Sequence, residues 1–105
     1  MIWHIEYTPE ADSDIEGIFA YIADVLLVPE TAKKQVDRIL DAIDSLTDMP
    51  FRYRLYDKEP WHSQGLCVMP VDRYLVFYLP DEVRQFVYII RIMYAGRKIE
   101  RLLPE

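Results

Sequence analysis

The spacing of the apolar residues changes once along this chain, near Pro50. Before Pro50 the apolar side chains recur every three or four residues, which is the repeat of one helix face. They form two stripes: Ile15, Ile18, Phe19, Ile22 and Leu26, then Ala32, Val36, Ile39, Leu40, Ile43 and Leu46. After residue 65 the apolar residues form short runs rich in β-branched and aromatic types, which are typical of strands. We therefore expect a helical half followed by a sheet half.

Capping residues and prolines mark the ends of the two predicted helices. Thr8-Pro9 places an N-cap residue before a proline at the first helical position, which predicts a helix over about residues 9–26. Pro29 restarts the helical pattern, and the second helix should end before Met49-Pro50. Because the link between them is so short, the two helices should form an antiparallel hairpin.

Four runs predict strands: residues 2–7, 66–69, 73–79 and 86–94. Residues 51–64 follow neither period, and residues 99–103 fit either a short helix or an irregular tail. The order of elements predicts a single α+β domain over residues 1–105, with an N-terminal strand and the helical hairpin packed on one face of a small, mostly antiparallel sheet. The other face should be partly open. Strict alternation along the last strand would group Val87, Ile89, Arg91 and Met93 on one face.

The net charge of −6 is divided unevenly between the two halves. Residues 1–48 carry eleven acidic and three basic residues, a balance of −8, whereas residues 49–105 carry seven acidic and nine basic residues, a balance of +2. The acids of the first half are expected on the solvated outer faces of the helices. The sheet half is mildly basic, which permits a nucleic-acid partner but is too weak to demonstrate one.

The composition argues against metal, disulfide and nucleotide-loop sites. The single Cys67 excludes an intramolecular disulfide and a cysteine-based zinc cluster, and His4 and His62 are too far apart to suggest a metal pair. No glycine-rich phosphate-binding motif is present. There is no signal-peptide pattern and no apolar run of membrane-spanning length. We therefore expect a cytoplasmic protein with no metal and no cofactor.

Basic and aromatic residues of the sheet half form the candidate site. Arg91 lies within the most apolar run, where a guanidinium reaches solvent, pairs with a carboxylate or lines a site. Arg73 begins the preceding strand, and Arg97-Lys98 follows the last strand after Gly96. The other candidates are Arg52, Arg54, His62, Tyr53, Tyr56, Trp61, Tyr74 and Tyr94. Such a set suits phosphate contacts with base stacking, or a protein groove. Each candidate also has a purely structural interpretation. Arg91 fits a salt-bridged residue of the sheet, Trp61 and the tyrosines fit packed aromatic rings, and His62 fits an ordinary surface residue.

Four segments of the chain match one protein family. They are Thr8-Pro9-Glu10-Ala11 after the first strand, Val36-Asp37-Arg38-Ile39 in the second helix, the run from Met69 to Tyr78, and the run from Ile90 to Arg97. In these segments the chain resembles the RelE/ParE superfamily, the toxins of type II toxin–antitoxin systems, also called plasmid stabilisation proteins. The resemblance covers nearly the whole chain. It implies the α+β fold above, growth arrest, a small cognate antitoxin as partner, and a homodimer or a toxin–antitoxin hetero-oligomer.

The resemblance leaves three functions open. One branch of the superfamily poisons DNA gyrase, and the other cleaves mRNA in the ribosomal A site. RelE-like nucleases use a lysine-rich strand and a C-terminal tyrosine, whereas the corresponding strand here, residues 66–69, has no lysine, and Leu102-Leu103 stands near the expected tyrosine. We therefore prefer gyrase inhibition without nuclease activity. The alternatives are a ribosome-dependent mRNA endoribonuclease, since other residue sets also support cleavage, and a non-toxic member that only binds an antitoxin.

The resemblance also assigns candidate roles to individual residues. If the protein is a ribonuclease, the candidate catalytic residues are Arg73, Arg97, His62 and Tyr94. In either toxin branch, the residues expected to contact DNA gyrase or the ribosome and its mRNA are Arg73, Arg91, Arg97 and Lys98.

Overall fold

The computed structural model describes residues 2–96. Its helices and strands are β1 (His4–Tyr7), α1 (Pro9–Ala20), α2 (Pro29–Asp44), α3 (Trp61–Gln64), β2 (Cys67–Val71), β3 (Tyr74–Asp81) and β4 (Phe86–Tyr94). α1 continues into a π-helical turn over Tyr21–Val25, and 3₁₀ turns cover Ser45–Thr47 and Pro50–Arg52. The predicted α+β architecture, with a strand, two long helices and then the rest of the sheet, is confirmed. The element considered for residues 99–103 lies outside the described residues.

The first helix begins with the predicted cap. The Thr8 backbone is extended, and its Oγ1 accepts a hydrogen bond from the backbone N–H of Ala11 at 3.1 Å. The same hydroxyl donates to the carbonyl of Ile90 at 2.9 Å, which fixes the start of α1 against β4. After the π-helical turn, Leu27 has a left-handed backbone with φ of 59°, and Pro29 starts α2. The predicted hairpin is therefore formed by a very short link.

The strands form one sheet in the order β1-β4-β3-β2. β2, β3 and β4 pair antiparallel, whereas β1 pairs with β4 in parallel, from His4 opposite Phe86 to Tyr7 opposite Ile89. The mostly antiparallel sheet is confirmed. β1 ends opposite Ile89, and within residues 2–96 no strand pairs with the outer edge of β4 beyond that residue; α1 lies along this edge instead.

Two apolar clusters cover the two faces of the sheet. The first joins the hairpin to the sheet, with Ala11, Ile39 and Ile43 packed against Val76, Tyr78 and Ile89. The second lies on the opposite face, where Tyr56, Trp61 and Leu66 pack against Val68, Phe77 and Met93. Residues 51–66 therefore cover much of the sheet face that was expected to be partly open. Burial of their large aromatic rings stabilises this irregular segment against the sheet.

β4 does not alternate strictly between the two faces. Phe77 of β3 lies opposite Arg91, but the next residue, Tyr78, lies opposite Ile89, so Ile90 is the extra residue of a β-bulge. Val87, Ile89 and Ile92 consequently pack in the cluster under the hairpin, whereas Met93 packs in the cluster on the other face. The predicted grouping of Met93 with Val87 and Ile89 is wrong, because one additional residue reverses the alternation beyond the bulge.

None of the helices within residues 2–96 is both long enough and apolar enough to cross a membrane.

Candidate functional site

A groove of about 1030 Å³ lies between the tip of the helical hairpin and the end of the sheet where β2 turns into β3. Its hairpin wall includes Ile18, Tyr21, Ile22, Leu26 and Val28. Its sheet wall includes Arg73, Tyr74, Ile92, Met93 and Tyr94. The other polar lining residues are Ser13, Asp14, Thr31, Gln35 and Asp72. An apolar concavity with a few polar groups is the usual form of a binding site, and we call this one the hairpin groove.

The β2–β3 turn that carries Arg73 is held against α2. Asp72 has a left-handed backbone with φ of 55°, a conformation that aspartate tolerates better than most residues. Its carboxylate accepts hydrogen bonds from Nε and Nη2 of Arg38, at 2.8 and 2.7 Å, and from Nε2 of Gln35 at 3.0 Å. The bonds from Arg38, and then that from Gln35, lower the pKa of Asp72. These three bonds fix the turn relative to the helical hairpin.

Arg73 is the next residue of this turn, and its side chain is exposed at the groove. Its backbone carbonyl accepts a hydrogen bond from Ala95 at 2.9 Å, which fixes the turn to the end of β4. Among residues 2–96 the guanidinium of Arg73 has no ion-pair or hydrogen-bond partner. The described part of the chain therefore leaves the positive charge of Arg73 without a counter-ion.

Three tyrosines line the groove together with Arg73. Tyr74 and Tyr94 make an edge-to-face contact with ring centroids 5.8 Å apart, and Tyr94 remains exposed. Burial raises the pKa of Tyr74, and the neighbouring phenols of Tyr94 and Tyr21 raise it further. Tyr21 reaches this cluster from the hairpin, so both walls of the groove contribute aromatic rings with hydroxyl groups.

Arg91 is engaged in a bidentate ion pair with Asp14 of α1. Its Nε lies 2.8 Å from Oδ2 of Asp14, and its Nη2 lies 2.9 Å from Oδ1. Oδ2 also accepts the backbone N–H of Ile92 at 2.9 Å, so the carboxylate takes the place of a strand at the unpaired edge of β4. The side chains are only 18% and 15% exposed, and the hydrogen bond to Asp14 raises the pKa of Arg91. Arg91 therefore contributes to the fold, whatever further role it has.

The other candidates lie elsewhere. His62 belongs to α3, and its Nδ1 lies 2.9 Å from the carbonyl oxygen of Tyr56. It is absent from the lining of the hairpin groove as far as residues 2–96 define it. Trp61 and Tyr56 are buried in the second apolar cluster, as their structural interpretation predicts. Arg97 and Lys98 lie outside the described residues. The structure thus brings Arg73 and Tyr94 together and places His62 in a different part of the fold.

The sequence patterns did not predict the groove itself. They placed Phe19 and Leu26 on the apolar face of the first helix, but these residues are 41% and 52% exposed. They also left Asp14 among the acids of the first half, which were expected on the solvated outer faces of the helices. The sequence offered one signal for the groove, the length of the apolar stripe on the first helix. That stripe is longer than the part of the sheet against which it can pack.

Within residues 2–96, the lining of the groove offers one guanidinium without an ion-pair partner, three phenol groups and an apolar wall. This combination suits a phosphate or carboxylate beside an aromatic or aliphatic surface. Within residues 2–96 there is no group of three histidine, cysteine, aspartate or glutamate side chains that could hold a metal ion.

Comparison with known protein families identifies one match, which extends over residues 5–99. The matching family is described as the ParE toxin of the type II toxin–antitoxin system parDE. No curated protein sequence matches the chain significantly.

Several solved structures share the fold. The chromosomal ParDE system from P. aeruginosa superposes with a TM-score of 0.74 at 19% identity, over 90% of this chain and 98% of that chain. The RelBE2 toxin–antitoxin complex from Mycobacterium tuberculosis gives a TM-score of 0.62 at 19% identity, over 90% of this chain and 99% of that chain. A mutant of the E. coli toxin RelE in the free state gives a TM-score of 0.66 at 10% identity, over 98% of this chain and 100% of that chain. At such low identities these likenesses establish the fold alone.

Proposed function

The chain belongs to the ParE toxin family of type II toxin–antitoxin systems, and we propose that it arrests bacterial growth and is neutralised by a cognate antitoxin. The family match covers residues 5–99, which includes both long helices and all four strands. Two of the structures with this fold are described as a ParDE system and a RelBE2 toxin–antitoxin complex, which supports an antitoxin as the partner.

For the target, the proposal is gyrase inhibition without nuclease activity. Cleavage of RNA needs a group that removes the proton of the 2′-hydroxyl and a group that protonates the leaving oxygen. One observation carries the proposal: the two carboxylates that line the groove within residues 2–96, Asp14 and Asp72, already accept hydrogen bonds from arginines. His62 is not among the described lining residues, and β2 (Cys67–Val71) contains no basic residue. The net charge of −6 also differs from the positive charge usual in proteins that enter an RNA site.

A second candidate, ribosome-dependent mRNA cleavage, is favoured by the surroundings of Arg73. Its guanidinium has no partner among residues 2–96 and lines the groove together with Tyr74 and Tyr94, which suits a phosphate contact combined with base stacking. In this alternative Arg73 stabilises the charge that develops on the phosphate, and Tyr94 is the candidate for proton transfer.

Induced expression in a bacterium separates the proposals. We expect growth arrest with intact mRNA, gyrase-dependent DNA breaks, and inhibition of supercoiling by purified gyrase. Cuts in translated messages at the A site, with gyrase unaffected, would instead establish the ribonuclease. Normal growth, with soluble folded protein confirmed, would exclude both toxic activities and support the non-toxic alternative. Arg73→Ala should weaken the arrest, whereas Arg84→Ala, which removes an exposed arginine from the opposite end of β4, should leave the arrest intact.

A further inference from the structure

The ion pair between α2 and the β2–β3 turn is more complete than an exposed turn requires. The side chains of Arg38 and Asp72 are 66% and 31% exposed, yet Asp72 accepts two hydrogen bonds from Arg38 and a third from Gln35. An ion pair in such contact with water contributes little to the free energy of unfolding. The geometry of the pair is therefore better explained by what the Asp72 carboxylate would do without Arg38.

Asp72 is joined directly to Arg73, the residue proposed to contact the target. Opposite charges on adjacent side chains attract each other, so an unpaired Asp72 carboxylate would act as a counter-ion for the Arg73 guanidinium. The same carboxylate would repel an anionic group of the target. Either effect would weaken a contact between Arg73 and a phosphate or carboxylate.

Both carboxylates that line the hairpin groove within the described part of the chain are paired with arginines. Asp14 binds the mostly buried Arg91, which needs a carboxylate for the stability of the fold. Arg38 is exposed and needs none, yet it binds the second carboxylate, that of Asp72. The two pairs have the same consequence for Arg73, which lines the groove without an ion-pair partner in that part of the chain.

We propose that Arg38 is a positioning residue for target binding, because it holds the Asp72 carboxylate against α2 and so prevents that carboxylate from neutralising Arg73. The three side chains carry a net charge of +1, which falls to zero when Arg38 is removed. The inference rests on the proposed function, because it takes Arg73 as a residue that contacts the target. It adds a residue that acts on the target only through Asp72 and Arg73.

Inhibition of supercoiling by purified gyrase measures the effect as a half-inhibitory concentration of the purified protein. Arg73→Ala removes a charge-assisted contact and should raise this concentration about tenfold or more. Arg38→Ala releases the Asp72 carboxylate and should raise it about three- to fivefold, as expected for an exposed ion pair. The matched control is Lys34→Ala, which removes one positive charge from the same helix and should inhibit like the unmodified protein. Lys34 is exposed and has no ion-pair partner among residues 2–96.

A rescue variant separates this effect of charge from mechanical support of the turn. Adding Asp72→Asn to Arg38→Ala removes the released carboxylate, so the double variant should regain the inhibition that Arg38→Ala loses. Asp72→Asn alone should likewise inhibit more strongly than Arg38→Ala. If the bonds served only to hold the turn in place, all three variants would be equally weak and the inference would be wrong. Circular dichroism should show the same folded spectrum for every variant.

A double-mutant cycle tests whether Arg38 acts through Arg73. Once Arg73→Ala is present, Arg38→Ala should cause no further loss of inhibition, since the charge that Arg38 protects is already absent. An equal loss in both backgrounds would show that Arg38 contacts the target itself, and it would overturn the inference.

The outcomes distinguish this inference from the proposed function. If the protein inhibits gyrase but Arg38→Ala and Lys34→Ala inhibit equally well, or if Arg73→Ala inhibits normally, the inference is wrong and the proposed function stands. If expression causes mRNA cuts while gyrase is unaffected, the proposed target is wrong, and the same order of variants in growth arrest would support the role of Arg38. If soluble, folded protein leaves growth normal, both fail together.

Discussion

Arg91 and Arg73 lie in neighbouring regions of the sheet, but their side chains meet opposite conditions. Arg91 lies on β4 beneath α1, where the Asp14 carboxylate accepts two hydrogen bonds from it and a third from the backbone N–H of Ile92. Arg73 lies in an exposed turn, where the adjacent residue, Asp72, is held by Arg38. Both arginines looked like candidates for target binding in the sequence.

The difference shows how burial decides whether an arginine is available for binding. A guanidinium that enters an apolar strand loses hydration, so the fold is stable only if a carboxylate is built in beside it. A guanidinium in an exposed turn needs no such partner and keeps its charge for another molecule. We therefore assign the pair on β4 to stability and the turn to recognition, and the following substitutions test that division.

The largest effect is expected for Asp14→Ala. The substitution removes the Asp14 carboxylate from Arg91 and removes the acceptor of the Ile92 N–H, both in a region that is less than one-fifth exposed. The free energy of unfolding should fall by about 2–4 kcal/mol, as when one partner of a buried pair is removed. Urea denaturation measures the change, with Glu16→Ala on the exposed side of α1 as the control. A loss below about 0.5 kcal/mol, the range of ordinary surface substitutions, would contradict the role of Asp14.

Arg91→Lys should have an intermediate effect. Lysine keeps the positive charge but cannot form the two parallel hydrogen bonds that Nε and Nη2 make to Asp14. We expect a loss of about 1 kcal/mol, or roughly 4–8 °C in Tm for a domain of this size. Thermal unfolding monitored by circular dichroism measures it. Arg84→Lys is the matched control, because the Arg84 side chain is 73% exposed and its contact with Asp81 is long, with Nε 3.9 Å from Oδ2. Equal Tm changes for the two variants would show that the bidentate geometry adds nothing.

How much of the fold could be predicted from the sequence depended on how local each interaction is. The cap at Thr8 and the start of α2 at Pro29 depend on the residues beside them, so their positions could be predicted from the chain alone. The pair between Asp14 and Arg91 joins residues 77 positions apart, and it follows from the early end of β1, which no local pattern reveals.

The candidate site was less predictable than the fold for a related reason. Arg73 and Tyr94 could be named from their types and their places at strand ends, but the groove that joins them depends on how far the hairpin extends beyond the sheet. Leu26 illustrates the difficulty, because its spacing places it on the apolar face of a helix although its side chain is 52% exposed. The bulge at Ile90 had no sequence signal either, and it reassigned Met93 to the opposite face.

The smallest effect is expected for Asp72→Asn, and it should depend on pH. Asparagine also tolerates the left-handed backbone at this position, so the substitution removes the charge without straining the turn. The bonds from Arg38 and Gln35 lower the pKa of Asp72 below its ordinary value of 3.8. A carboxylate with a lowered pKa in the folded state stabilises the protein above that ordinary value, and the stabilisation is lost as the pH falls through the folded-state pKa.

The unmodified protein should therefore be more stable than Asp72→Asn near neutral pH, and the difference should shrink as the pH falls below 3.8, the ordinary pKa of the carboxyl group. Because the pair is exposed, the difference at neutral pH should be smaller than that for Arg91→Lys. Urea midpoints measured across this pH range give the comparison. Arg38→Gln should reduce the same pH dependence, and adding Asp72→Asn to it should change little further, since both substitutions remove one interaction. A stability difference that stays constant from neutral to acidic pH would show that the ionised carboxylate does not hold the turn that carries Arg73.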